Sequence, residues 1–209
     1  MKKLFLLLIL LVSTIGFAQK GKTKAKPAAS KNVVLTTVDN ISAEIISEKA
    51  GKRVVLFVKK EGKVDTLEVK KLDKVDFKPT NFTIKSFTTQ GKKFYHVNWK
   101  EEIKVDTKLK KENGFVAEDQ IWDTETKTLL LGNMHKSSHI KETVFLDKNK
   151  TASHDVEKNR SEGFEFTLNP DGSFVLKTKT QNSTYVYNAA SSKYEMKGAP
   201  KASGTKKKK

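Results

Sequence analysis

Cysteine is absent from this chain of 209 residues, and only Arg53 and Arg160 among its 41 basic residues are arginine. The first absence excludes disulfides, thiolate nucleophiles, thiolate zinc sites and iron–sulfur clusters, each of which needs the missing sulfur. The second removes most of the planar forks that read phosphate or a guanine edge bidentately. Lysine is left, and lysine acts as a point charge. The sequence also has no Gly-x-Ser-x-Gly elbow, no glycine-rich phosphate loop, no dinucleotide fingerprint and no calcium loop of alternating Asp and Asn. Enzymatic function therefore has little support, and no catalytic residue or cofactor is expected.

At the amino terminus Lys2 and Lys3 precede an apolar run, Leu4–Val12, followed by Ser13, Thr14 and Gly16-Phe17-Ala18. A basic start, an apolar segment and small residues before Gln19 compose a secretory signal over 1–18, with cleavage expected after Ala18. The stretch Leu4–Ala18 has fifteen residues, short of the about 20 that a spanning helix needs. No cysteine follows it, so a lipoprotein thioether cannot form. The expectation is an exported protein, periplasmic or secreted, with no transmembrane segment in the mature chain.

The formal charge is +17, and it is unevenly placed. Residues 20–31 carry five Lys and no acid, residues 197–209 carry six Lys and no acid, and 32–196 is only mildly basic at +4. Both ends mix Lys with Ala, Gly, Ser, Thr and Pro and hold no large apolar side chain to offset the entropy of ordering. They are expected to be disordered arms, 19–31 and 197–209. Lys20, Lys22, Lys24 and Lys26, with Lys206, Lys207, Lys208 and Lys209, are the candidate contacts to anionic polymers or lipid headgroups. A lysine-only arm suits salt-sensitive attraction without sequence readout, so no specific nucleic acid is expected. Solubility and colloidal repulsion are the alternative use of the same charge.

Residues 32–196 alternate with period two, in short runs of Val, Ile, Thr, Phe and Tyr between turn residues, which predicts an all-β domain. Val33–Val38 is a first run, Arg53–Lys60 pairs with Lys63–Lys71 across Glu61-Gly62, and Phe82–Thr89 pairs with Lys93–Lys100 across Gln90-Gly91-Lys92. The last of these sets Tyr95, Val97 and Trp99 opposite Phe94, His96 and Asn98. Residues 39–50 fit either period, and strand is favoured. Ile103–Lys110 alternates cleanly, and Asn113-Gly114 is predicted to turn it into Phe115–Trp122. Thr128–Leu131 and Ile140–Leu146 follow, then a polar loop over 151–162. Asn169-Pro170-Asp171-Gly172 joins the Phe164–Leu168 and Phe174–Thr178 runs, and Tyr185-Tyr187 and Tyr194–Met196 complete the set. About ten strands result, an antiparallel meander closing as a barrel or a two-sheet sandwich. Pro79 is the one candidate boundary inside the domain.

Four histidines, His96, His135, His139 and His154, are the only basis for a metal site. His135 and His139 lack the glutamate of a metalloprotease helix, and on a strand they share a face about 13 Å apart, too far for one ion. No metal site is expected. Glu101-Glu102 and Glu118-Asp119 are adjacent on strands, point to opposite faces, and read as solvated charges. Phe94, Tyr95, Trp99, Trp122, Tyr185, Tyr187 and Tyr194 serve either as core or as a stacking surface. These observations predict an exported, non-enzymatic β-rich protein that binds or associates with the envelope. The alternative is a β-barrel carrying a small apolar ligand.

Overall fold

Short runs of β-branched and aromatic residues separated by Gly, Asn and Asp favour strands, and over its described residues the computed structural model is all-β. It describes residues 32–48, 51–72 and 77–198. The signal segment 1–18, the arm 19–31 and the tail beyond Gly198 lie outside the described residues, and so do all eight of the candidate lysines. Thirteen strands form three antiparallel sheets in which every strand pairs with its neighbour in sequence. The first sheet holds β1 (Val33–Val38), β2 (Ile41–Glu48), β3 (Gly51–Lys60) and β4 (Lys63–Leu72). The central sheet holds β5 (Thr80–Thr89), β6 (Lys92–Asp106), β7 (Lys110–Asp123), β8 (Thr128–Phe145) and β9 (Ser153–Gly163). The third holds β10 (Glu165–Leu168), β11 (Phe174–Lys177), β12 (Asn182–Asn188) and β13 (Lys193–Met196). The expected meander is present, its sheets layered as in a sandwich, and among the described residues no barrel closes.

The core divides according to the two faces of β6. Tyr95, Val97 and Trp99 join Ile41, Val54, Leu56 and Val58 in one cluster between the first and central sheets. Phe94, one position out of phase, joins Ile121, Phe174 and Tyr187 in a second cluster beneath the third sheet. The central sheet is thus buried on both faces near its root, which explains why Phe94–Trp99 has apolar residues at both phases. All seven of the aromatics singled out above pack into these two clusters. The Gln90-Gly91 hairpin turns with both residues at positive φ, the two-residue geometry that matches strand twist. Gln90 Nε2 donates to Tyr187 O at 2.6 Å, and its Oε1 accepts from Ala189 N, which ties this turn to the third sheet.

A bulge controls the interface on the other face. Val54 pairs with Lys70 while Val55 pairs with Glu68, so β4 carries one extra residue, Val69. The extra residue puts Lys70 opposite fully buried Val54 and turns it inward, where plain alternation after Val69 would have turned it out. Lys70 Nζ reaches Glu101 Oε1 at 2.5 Å and also pairs with Glu118. It lies 5.6 Å from the Trp99 ring centroid and 5.7 Å from that of Phe77. Burial opposes its charge, but the two carboxylates outweigh burial and raise its pKa above the ordinary lysine value. Glu101 and Glu118 are therefore interlayer partners of a cation rather than solvated charges. Asp119, on the opposite face, is 6% exposed and accepts from Asn98 Nδ2 at 2.7 Å, with His96 Nε2 at 2.9 Å.

Further local expectations are overturned: Thr128–Leu131 and Ile140–Leu146 belong to the single long strand β8. Asn113-Gly114 lies inside β7, and the turn falls at Thr107–Leu109, where Thr107 N donates to Lys110 O. Gly114 has no positive φ. It is required because β8 crosses so close that a Cβ would sit 2.2 Å from Ser137 O and 2.6 Å from Ser138 Cα. The stretch 151–162, expected as loop, falls mostly in edge strand β9 (Ser153–Gly163), whose register runs from Phe145↔Ser153 to His135↔Gly163. Only Val156 is apolar in this strand, so alternation carries no signal there, and pairing with β8 alone specifies it.

Gly114→Ala is expected to destabilise the fold by more than about 2 kcal/mol. Gly132→Ala, whose new Cβ would meet Leu129 at an ordinary 3.6 Å, should change stability by less than about 1 kcal/mol. Equal urea midpoints for the two variants would contradict the close crossing. Lys70→Met strands two carboxylates and should cost about 1–3 kcal/mol. Lys71→Met, an exposed neighbour, should stay within about 0.5 kcal/mol; matched losses in the same titration would remove any special part for the interlayer cation.

Candidate functional site

Beyond Trp99 on β6 and Ile121 on β7 no residue belongs to either hydrophobic cluster, yet the central strands run on to Asp106, Lys110 and Phe145. On the side of the third sheet this leaves a cleft of about 810 Å³ between β9 and the end of β11. Its walls are Lys158, Arg160 and Glu162 on one side and Lys177 to Thr180 on the other. A second recess of about 340 Å³ shares Ser137, Asn159, Arg160, Ser161 and Lys179 with it and continues it over Asn113, Phe115 and His139. The register explains the lining: Phe115↔Ser137↔Ser161 and Asn113↔His139↔Asn159 are cross-strand rows on one face.

The chemistry is polar with a cationic excess: Lys158, Arg160, Lys177 and Lys179 line the cleft with Glu162 and with Glu165, the cross-strand neighbour of Lys177. Lys177 and Lys179 have no carboxylate partner among the described residues, whereas Lys158 pairs with Glu142 and Arg160 Nε donates to Glu162 Oε1 at 2.7 Å. Hydroxyls and amides of Ser137, Asn159, Ser161, Thr178 and Thr180 supply uncharged contacts. Phe115 is the aromatic element, flanked by Lys100 Nζ at 4.6 Å from its centroid and by the His135 ring at 6.2 Å. His135 Nε2 lies 3.1 Å from Ser161 Oγ, and His139 Nδ1 lies 3.0 Å from Asn159 Oδ1. The two imidazoles share a face of β8, as the strand spacing predicts. Among the described residues no three His, Cys, Asp or Glu side chains gather as metal ligands. His154 stands opposite Val144 near the far end of the sheet.

Sequence reasoning missed this cleft. One wall comes from the stretch 151–162 read as loop, the other from the end of the Phe174–Thr178 run and the residues after it, and Phe115 was masked by the false turn before it. The one available signal was composition: Lys158–Gly163 and Thr178–Gln181 are both rich in Lys, Ser, Thr and Asn.

Behind the cleft floor, on the opposite face of β7, Glu112 is 3% exposed. Lys110 Nζ at 2.7 Å, Ser138 Oγ at 2.9 Å and Lys136 Nζ at 3.2 Å surround its carboxylate. Lys110 most strongly, then Ser138 and Lys136, hold its pKa at about 2 against an ordinary 4.5, and burial opposes them. A depressed folded-state pKa contributes stability above the unfolded value and loses it as pH falls toward the folded one. Wild type should therefore exceed Glu112→Gln in urea resistance by a margin that is constant above pH 5 and shrinks toward pH 2. A margin independent of pH would count against the buried carboxylate. Compared with known proteins, the chain matches no family model, no curated protein and no solved structure at a significant level.

Proposed function

We propose that this is an exported, non-enzymatic binding protein of the cell envelope, and that the cleft beside β9 holds a segment of an anionic polymer. The observation that carries this reading is a cationic excess in an open, hydroxyl- and amide-rich cleft: Lys177 and Lys179 make no ion pair among the described residues, and Arg160 stands opposite, against Glu162 and Glu165. Charge draws an anionic chain in, hydroxyls and amides satisfy its neutral oxygens, and an open cleft admits a polymer where an enclosed pocket would admit only a small ligand. The lysine-rich arms add a salt-sensitive, sequence-independent attraction to the same class of partner. The carrier alternative has less support, since among the described residues no sheet closes to form a lumen.

The test is retention of the mature chain on an immobilised acidic polysaccharide across a salt series. Lys177→Glu/Lys179→Glu should weaken binding about tenfold near physiological salt and flatten the salt dependence. The same reversal at Lys59 and Lys63, on the first sheet, should have a much smaller effect. Equal losses for the two pairs would reduce the interaction to net charge and reject the cleft.

A further inference from the structure

The far end of the central sheet carries a second surface with different chemistry. The β6–β7 turn, Thr107–Leu109, and the β8–β9 turn, Leu146–Ala152, lie side by side there, joined by Thr143 N donating to Leu109 O at 2.8 Å. Leu109 and Leu146, in the turns, are 48% and 67% exposed, and Val144, on the adjoining end of β8, is 37% exposed.

Both turns are internally fixed. The Asp147 carboxylate accepts from Thr151 N at 3.1 Å, Thr151 Oγ1 at 2.9 Å and Ala152 N at 2.8 Å. Leu146 N donates to Ala152 O at 2.9 Å. These backbone donors hold the Asp147 carboxyl below the usual range. In the other turn Thr107 Oγ1 accepts from Lys110 N at 3.0 Å. Leu146 and Leu109 are therefore presented outward by hydrogen-bonded turns.

Lysines flank them in the sequence. Residues 104–111 and 146–150 contain six Lys and two Asp. Lys104, Lys108, Lys111 and Lys148 have no carboxylate partner among the described residues, and Lys150 lies 5.5 Å from the Phe145 ring centroid. A soluble polyanion would answer the lysines and leave the leucines in water. An apolar protein surface would cover the leucines and strand the lysines. A bilayer with anionic headgroups answers both, because apolar side chains enter the boundary between headgroups and acyl chains while ammonium groups meet phosphates.

We infer that the Leu109–Leu146 tip docks onto an anionic phospholipid surface. This surface is separate from the cleft, so the two readings stand or fall independently. The cysteine-free chain permits a direct test, in which the mature chain is labelled with an environment-sensitive fluorophore at Leu146→Cys, or at Glu125→Cys on the opposite end of the sheet. With phosphatidylglycerol-containing vesicles the 146 label should shift to the blue and brighten several-fold, while the 125 label stays unchanged. Leu109→Ser/Val144→Ser, which keeps every lysine, should lower vesicle affinity by about tenfold or more, with an unaltered circular dichroism spectrum. Bound protein with an unshifted 146 label would assign the contact to the arms or the cleft. The same shift with soluble polyphosphate would make the partner a polyanion. Either result overturns the inference, as does failure to bind these vesicles.

Discussion

A lysine ammonium held between two packed sheets sets the relation of the first sheet to the central one. Lys70 reaches this position only because β4 carries one extra residue, and it finds carboxylates from two adjacent central strands. Such a pair adds little net free energy over a well-packed apolar replacement, since desolvation offsets most of the attraction. Its effect is on alternatives. A slip of β4 by one residue would turn Lys70 out, leave Glu101 and Glu118 without their cation, and expose the Leu67 side of the strand. Gln120, donating to Val69 O at 3.2 Å, pins the bulge itself. Register, bulge and interlayer charge thus require one another.

The central strands are much longer than the layers that cover them, and the molecule divides along their length. Near the root both faces are dry and carry Phe, Tyr, Trp and Val. Farther out the same strands carry Lys, Glu, Ser, Asn and His, held by cross-strand pairs such as Lys141 with Glu157 and Thr143 with Asp155. The open edge of this region is β9, which has a charged or amide side chain at most of its positions. That composition discourages pairing with another chain, a common device on exposed sheet edges. The cleft and the tip both lie on this polar extension, outside the dry root.

Much of the fold was legible because its two strongest signals, alternation and turn chemistry, agree over most of the body. Val33–Val38 and the hairpins at Gln90-Gly91 and Asn169–Gly172 follow from them directly. Asn113-Gly114 misled because a glycine can serve close strand approach as well as a turn, and the difference lies in β8, more than twenty residues away in the chain. β9 was illegible because a strand exposed on both faces has no reason to alternate. Glu118 and Asp119 read as surface charges because their partners, Lys70 on one face and His96 and Asn98 on the other, are invisible to local pattern. The cleft and its continuation join residues as far apart along the chain as Asn113 and Lys179 and share none of the periodicities that reveal a core.

In all three sheets the order of strands in space is their order in the sequence. No strand has to wait for a distant partner to be made, so each hairpin can close as soon as its second arm is free. Each pairing step is a hairpin between consecutive strands, while the packing of one sheet on the next joins residues as distant as Ile41 and Trp122 and has to come later. A chain emerging end-first from a ribosome or a translocation pore could therefore lay down its sheets progressively, exposing few unpaired edges along the way. With no thiols to oxidise, its assembly would also be indifferent to the redox state of the compartment in which it finished.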